Sequence, residues 1–256
     1  MLSNTIRNTI NSNRGGGVGF SANALKFDGV AQRTDVGMRE YVDFPSFSLA
    51  GEFTIYFKVK TFRGYSGADN MFLTNNDAGN FIDLRQTYFR IRLGTVNTTV
   101  NCSDIFDGLE HRCVFTKDNL NKIRLSIDGV DQGAVITNNF TGTFSSISRY
   151  ISGNNALNGF IVGALAVCDG YAATAQDITD LQTQLPEDVL SNLIRNYDFV
   201  SNSQDSLVLT DKVSPSNNGT LTKFVTIPEV WRDFDDPFPT ITVSNNINIA
   251  LAGQSN

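Results

Sequence analysis

In EFTIYFKVKT, residues 52–61, Phe53, Ile55, Phe57 and Val59 fall on one side of a period of two, and Thr54, Tyr56, Lys58 and Lys60 on the other. That period is the signature of a strand with one buried face. Residues 108–130, GLEHRCVFTKDNLNKIRLSIDGV, carry the same signal twice. Residues 112–115 form a first strand. Residues 117–121 are turn chemistry, because Asp and Asn tolerate left-handed backbone and bond their own main chain. Ile123, Leu125 and Ile127 then alternate with Lys122, Arg124, Ser126 and Asp128, and Asp128-Gly129 closes the strand. This hairpin is the predicted centre of the fold.

Further strands are predicted around it. ALKFDGV aligns Leu25 with Phe27 and ends in Asp28-Gly29; residues 41–44 form a short strand that Pro45 ends. Residues 63–70 are a loop, 71–74 a strand and 75–80 a turn. FIDLRQ and YFRIRLG predict a hairpin, followed by strands at 95–100, within 133–144 and at 157–169. After residue 169 the period changes: Thr174 is a candidate N-cap for a short helix through Ile178, Leu181 and Leu185, stopped by Pro186. Many short strands with almost no helix between them predict an all-β, antiparallel sandwich rather than a βαβ fold.

The ends differ from the middle. Leu2, Ile6 and Ile10 make a short helical stripe before the hinge Gly15-Gly16-Gly17. So short a segment is marginal alone in water. It reads either as a frayed tail or as an anchor peptide that folds when it docks. Patterning weakens from residue 188, the only tryptophan is Trp231, and residues 233–240 are a proline-broken linker. Residues 240–251 return to a strand signal and run into AGQSN. The expected organisation is an anchor and hinge over 1–20, a sandwich over 21–187, an irregular arm over 188–239 and a strand over 240–256 that opens a further, truncated domain.

Composition narrows the classes. The chain has 256 residues and a net charge of −6, with basic residues scattered along the sequence, which gives nucleic-acid binding little support. Of three cysteines, Cys113 and Cys168 lie in apolar strand patterns and read as buried thiols; no disulfide framework is implied. The first residues lack the apolar core of a secretory signal. No apolar run approaches the roughly 18 residues of a membrane span, so no membrane insertion is expected.

Four blocks, ALKFDGVAQRTDVG, EFTIYFKVKT, GLEHRCVFTKDNLNKIRLSIDGVDQG and SGNNALNGFIVGALAVCDGYAATAQDITDLQ, occur in an order that resembles the laminin-G-like, or concanavalin-A-like, jelly-roll domain. The resemblance implies two antiparallel sheets with ligand loops at their edges. A tryptophan usual in these strands is replaced here by Leu109 or Phe57. Residues 190–231 resemble a worn second copy of the opening of such a unit. The final NINIALAGQSN resembles the first block of SGNH-type carbohydrate esterases, in which the serine, here Ser255, is the nucleophile. A nucleophilic serine needs a base and an orienting acid. The single histidine, His111, lies in the central hairpin and has no acid partner at recognisable spacing, so no catalytic residue is assigned. The paired carboxylates of a glycanase strand are missing too.

Candidate ligand residues are the oxygen-bearing and aromatic residues of predicted loops: Tyr65, Asp69, Asn70, Asn75, Asn76, Asp77, Asp169 and Tyr171. Such loops can hold Ca²⁺ or sugar hydroxyls, and an aromatic ring beside amides can stack on a sugar. Equally, they are ordinary turn residues. The Asn-, Thr-, Ser- and Gly-rich composition resembles bacteriophage virion proteins, in which similar sandwiches serve as tail-fibre, head-fibre or capsid-decoration modules. The resulting expectation is a structural and adhesion protein of a virion. It would be attached to other virion proteins through residues 1–20, be homo-oligomeric (a trimer fits) and bind host-surface glycan. The alternative is the carbohydrate-binding part of an SGNH-type O-acetylesterase, or an extracellular lectin.

Overall fold

The computed structural model describes residues 24–27, 41–61, 70–75, 79–94, 96–136, 141–149, 157, 159–199, 208–222 and 231–232. In chain order the strands are β1 (Ala24–Phe27), β2 (Tyr41–Leu49), β3 (Phe53–Thr61), β4 (Met71–Thr74), β5 (Asn80–Leu84), β6 (Tyr88–Leu93), β7 (Val96–Asn101), β8 (Glu110–Lys117), β9 (Lys122–Ile127), β10 (Val130–Ile136), β11 (Gly142–Ile147), β12 (Phe160–Asp169), β13 (Leu193–Asp198), β14 (Val208–Asp211), β15 (Gly219–Thr222) and β16 (Trp231–Arg232). Two short helices, α1 (Ala175–Asp180) and α2 (Pro186–Val189), follow β12.

Among the described residues every pairing is antiparallel, and a continuous 16-stranded ladder folds into two sheets, A and B. Sheet A runs β10-β9-β8-β3-β12. The far edge of β12 is shared: β1 takes Phe160 to Val162, and β13 takes Leu165 to Cys168. Sheet B runs β15-β2-β11-β4-β5-β6-β7, and β14 joins β13 to β15, so one ladder passes from sheet to sheet. The architecture is an antiparallel β-sandwich, as the strand pattern predicts, and jelly-roll-like, as the family resemblance implies.

Period-two alternation explains the core. Phe53, Ile55, Phe57 and Val59 of β3 face Phe72, Ile82, Phe89 and Ile91 of sheet B within one apolar cluster. Phe57 lies at its centre, with ring centroids 4.5 Å from Phe72, 6.2 Å from Phe89 and 6.5 Å from Phe115. Of the two candidates for the missing tryptophan, Phe57 is fully buried and Leu109 is exposed. Leu109 is therefore corrected to a surface residue.

The outer face of sheet A is also covered. Tyr56, Val114, Ala166 and Cys168 pack under Leu181 and Leu190, from the helical segment after β12. This is why β3 is buried on both faces although its sequence alternates. Helix α1 begins as predicted, with Thr174 in a capping box with Asp177. It ends at Asp180, and Pro186, expected as a stop, instead opens α2 at its first position, where its missing N–H costs nothing.

Two further expectations are corrected. Strand β2 runs through Pro45, because the ladder to β11 skips there, from Phe47–Phe144 to Asp43–Ser146, and a bulge tolerates proline. The segment expected as an irregular arm supplies β13, β14 and β15 to the ladders. Its strands are only 4 to 6 residues long, too short to print a clear alternation. Residues 1–20 and 233–256 lie outside the described residues.

Gly142 shows how tightly sheet B packs. A Cβ there would lie 2.0 Å from Cδ2 of the buried Leu93. Gly142→Ala is expected to cost about 1–3 kcal/mol through overpacking, read as a lower urea midpoint with an unchanged slope. An unchanged midpoint would mean that β11 does not sit on Leu93.

Candidate functional site

The predicted ligand residues separate into two places. Asn70 and Asn75 flank β4 in sheet B, whereas Asp169 ends β12 in sheet A and Tyr171 follows it. Tyr65, Asp69, Asn76, Asp77 and Ser255 lie outside the described residues. Tyr171 is committed locally. Its hydroxyl donates to Asp177 Oδ2 at 2.5 Å, its carbonyl accepts from Thr54 Oγ1 at 2.8 Å, and its ring packs on the cluster over sheet A. The bond to Asp177, with burial, pushes its phenol up to about 12. Asn75 donates its N–H to the Asn80 carbonyl at 3.2 Å, closing the β4–β5 turn. Asp169 donates its N–H to the Asn192 carbonyl at 3.3 Å.

Asn70 belongs to a built polar cluster on sheet B. Its N–H donates to Asp83 Oδ1 at 2.6 Å and its side-chain amide to the Leu84 carbonyl at 3.2 Å. Asp83 is fully buried in mid-strand, on the outer face opposite Ile82 and Leu84. Its Oδ2 accepts from Arg85 Nε at 2.8 Å and from Arg90 at 2.9 Å. Arg90 is its cross-strand partner and also stacks on the Phe81 ring, 5.0 Å from the centroid. Burial raises the Asp83 carboxyl to about 6 against the lowering effect of Arg90 and of the Asn70 N–H. Near neutral pH the carboxylate is thus charged in a site that opposes its charge, a pattern enriched at functional sites.

Alternation extends this face across two more strands. Tyr88, Arg90 and Arg92 project from β6 on the side away from Phe89, Ile91 and Leu93. Their partners on β7 are Asn101, Thr99 and Asn97, all exposed. The Arg85 guanidinium lies over the Tyr88 ring, 5.9 Å from its centroid. Three of the basic residues that look scattered in sequence, Arg85, Arg90 and Arg92, lie together on this face. The signal was present: Arg90 and Arg92 alternate with core residues, and a lone Asp83 sits on the outward side of the neighbouring strand.

A second cluster corrects the expectation that His111 lacks an acid partner. His111 Nδ1 lies 2.7 Å from Asp128 Oδ2, and Nε2 lies 3.0 Å from Asp107 Oδ1. Asp128 also accepts the Arg112 N–H at 2.8 Å, and Asp107 the Leu109 N–H at 2.8 Å. The Asp128 hydrogen bond is the largest influence on the ring; with Asp107 it outweighs burial and raises the imidazole above its usual range. Burial pushes both carboxyls up, but the imidazole and main-chain N–H bonds prevail and hold them below the usual carboxylate range. The positions follow from the hairpin. Cys113 pairs with Ile127, so the residue two before Cys113 meets the turn after Ile127. In that turn Asp128 and Gly129 have φ of 52° and 80°, the left-handed pair of a tight hairpin. The cluster clamps the 107–109 loop to the β9–β10 turn, and neither imidazole nitrogen is left to meet a substrate.

Among the described residues, no group of three or more His, Cys, Asp and Glu side chains could hold a metal ion. No helix among them is long and apolar enough to cross a membrane.

The sequence matches no described protein family and no curated protein. Solved structures resemble the fold. A protein of Bacteroides ovatus described as a candidate carbohydrate-binding protein superposes with a TM-score of 0.59 at 16% identity, over 85% of this chain and 61% of the other. The chain therefore spans about three fifths of the length of that protein. Domain 4 of an extracellular arabinanase from Geobacillus stearothermophilus, in complex with arabinotriose, has a TM-score of 0.49 at 16% identity over 68% of this chain and 84% of its own. The carbohydrate-binding module of a Ruminococcus gnavus sialidase, bound to a sialyllactose, has a TM-score of 0.43 at 11% identity over 65% of this chain and 100% of its own. At 16% identity the likeness to the Bacteroides ovatus protein is one of fold, and the fold it supports is the antiparallel β-sandwich.

Proposed function

We propose that this chain is a lectin-like sandwich displayed on a virion, where the outer face of β5–β7 binds host-surface glycan. The observation that carries the reading is an asymmetry between the two sheets. The outer face of sheet A is covered over β3, β8 and β12 by the segment after β12, whereas that of sheet B exposes Asn97, Thr99 and Asn101 beside Tyr88 and the arginines. Amides, hydroxyls and a ring on one rigid strand pair are the chemistry that orients a sugar. The two-sided engagement of His111 favours binding over catalysis as the role of the described residues. The virion setting is supported by the sequence: a hinged N-terminal peptide and an Asn-, Thr- and Ser-rich composition. A second reading keeps the same binding face and places it ahead of an SGNH-type esterase, on the strength of Gly253-Gln254-Ser255-Asn256.

On a glycan array the full chain is expected to retain at least one class of oligosaccharide, and Tyr88→Ala combined with Asn97→Ala to lose it at least tenfold with the fold intact. Retention undiminished in that variant would remove the face from consideration. Deletion of residues 2–17 is expected to abolish incorporation into particles while glycan binding persists; full incorporation would contradict the anchor.

A further inference from the structure

The charge on the sheet B face says more about the ligand than its hydroxyls do. Among the described residues, Arg85, Arg90 and Arg92 stand at adjoining positions of β6 and the turn before it, with Asp83 paired to the first two. Asp104, on Gln86 Nε2 at 2.8 Å, bounds the strip at one end. Among the described residues the strip holds more arginine than acid, on a chain whose net charge is −6. Asp83 engages Arg85 and Arg90. Arg92 takes no part in that pair. Its Nε donates to the Gly94 carbonyl at 3.3 Å, one of the five donors of a guanidinium, and the side chain is only half-buried. Its neighbours across the ladder are Phe81 and the exposed Asn97.

A planar guanidinium fork matches the two oxygens of a carboxylate or the oxygens of a sulfate, and such charge-assisted bonds are stronger than neutral ones. The Phe81 and Tyr88 rings hold Arg90 and Arg85 in place, so little side-chain freedom is lost on binding. β7 then supplies uncharged amides and a hydroxyl at a strand's spacing, suited to ring hydroxyls rather than to further charge. A nucleic-acid strand would need cations along its whole track, whereas here they stop at β6.

We propose that the outer face of β5–β7 takes an acidic glycan, with a carboxylate or sulfate against Arg92 and the sugar hydroxyls on Asn97, Thr99 and Asn101. This rests on the glycan-binding reading above and narrows its ligand to charged saccharides.

The test is calorimetric titration of the full chain with three probes of equal length: an oligogalacturonate, its neutral methyl ester and a sulfated heparin oligosaccharide. The acidic probes are expected to bind at least tenfold tighter than the ester, and the better of the two tells carboxylate from sulfate recognition. Arg92→Gln, which leaves the Asp83 pairs intact, should lose roughly tenfold for the acidic probe and little for the ester. Arg124→Gln, at an exposed pair with Asp131 on sheet A, should change nothing. Unfolding midpoints of both variants establish that they fold, and Arg92→Lys serves as the conservative comparison, expected to recover part of the loss. Equal affinity for ester and acid would overturn the acidic assignment while leaving the glycan reading standing. Binding of none of the three, with no array signal, would overturn both. Tighter binding of a single-stranded oligonucleotide than of every saccharide would replace the proposal with a nucleic-acid site.

Discussion

Replacing Phe57 by alanine is expected to lower stability by about 3–5 kcal/mol, the usual range for emptying a buried aromatic site. The ring has no exposure and meets Phe72 from sheet B at 4.5 Å as well as Phe115 from its own sheet at 6.5 Å. Truncation would therefore open a void at the seam of the two sheets, where neither can close in without shifting a whole strand. Domains of this kind hold only about 5–15 kcal/mol in reserve, so the variant should melt on the order of 10 °C lower or populate an unfolded fraction at ambient temperature. Leu109→Ala is the matched comparison. Leu109 is 63% exposed, and its loss should fall within about 0.5 kcal/mol of zero. Comparable losses in the two variants would mean that the core is not centred where the aromatic contacts place it.

The second large effect is expected at His111, with a definite pH dependence. The imidazole titrates above 6.5 in the folded chain, so its contribution is fully present below the unfolded value and is lost as pH rises through the folded one. Asp107 and Asp128 titrate below 3.8, so theirs is present above that value and is lost as pH falls through their folded ones. The clamp is strongest between those limits. Both carboxylates are more than one third exposed, and solvent screening reduces what each bond contributes. A loss of about 2 kcal/mol for His111→Ala near pH 5.5 follows from charge-assisted bonds discounted in this way. The loss should shrink by pH 9. Asp83, raised to about 6, makes both proteins less stable as pH climbs from the unfolded carboxylate value through 6, but it is common to both and cancels in the difference. A difference in urea stability that is flat from pH 5.5 to 9 would contradict the clamp.

The sandwich was legible because its strands are long enough to alternate. β3 and the β8–β9 hairpin have 9, 8 and 6 residues, and their core faces were readable residue by residue. Where strands shorten, as in β14 and β15, two or three apolar positions cannot be told from a loop. Pro45 misled for a different reason: proline ends a regular strand, and the bulge that accommodates it is set by the partner β11, far away in sequence. The candidate site was harder still. Loops usually carry function, yet the Asp83 cluster is built mainly from strand residues. Asp83 and Arg90 meet only once the β5–β6 register is fixed. The contact of His111 with Asp128 is legible in the sequence, since the pairing of the predicted hairpin brings the two side by side.

The ligand-binding face proposed above is the outer side of β6 and β7 in sheet B. Amide chemical-shift mapping of the full chain, titrated with the oligosaccharide that binds best, tests it directly. The largest shifts are expected on Tyr88, Arg90 and Arg92 and on their ladder partners Asn97, Thr99 and Asn101. Shifts concentrated instead around Asp169 and Tyr171, or around the turn at Asp128 and Gly129, with β6 and β7 silent, would contradict it.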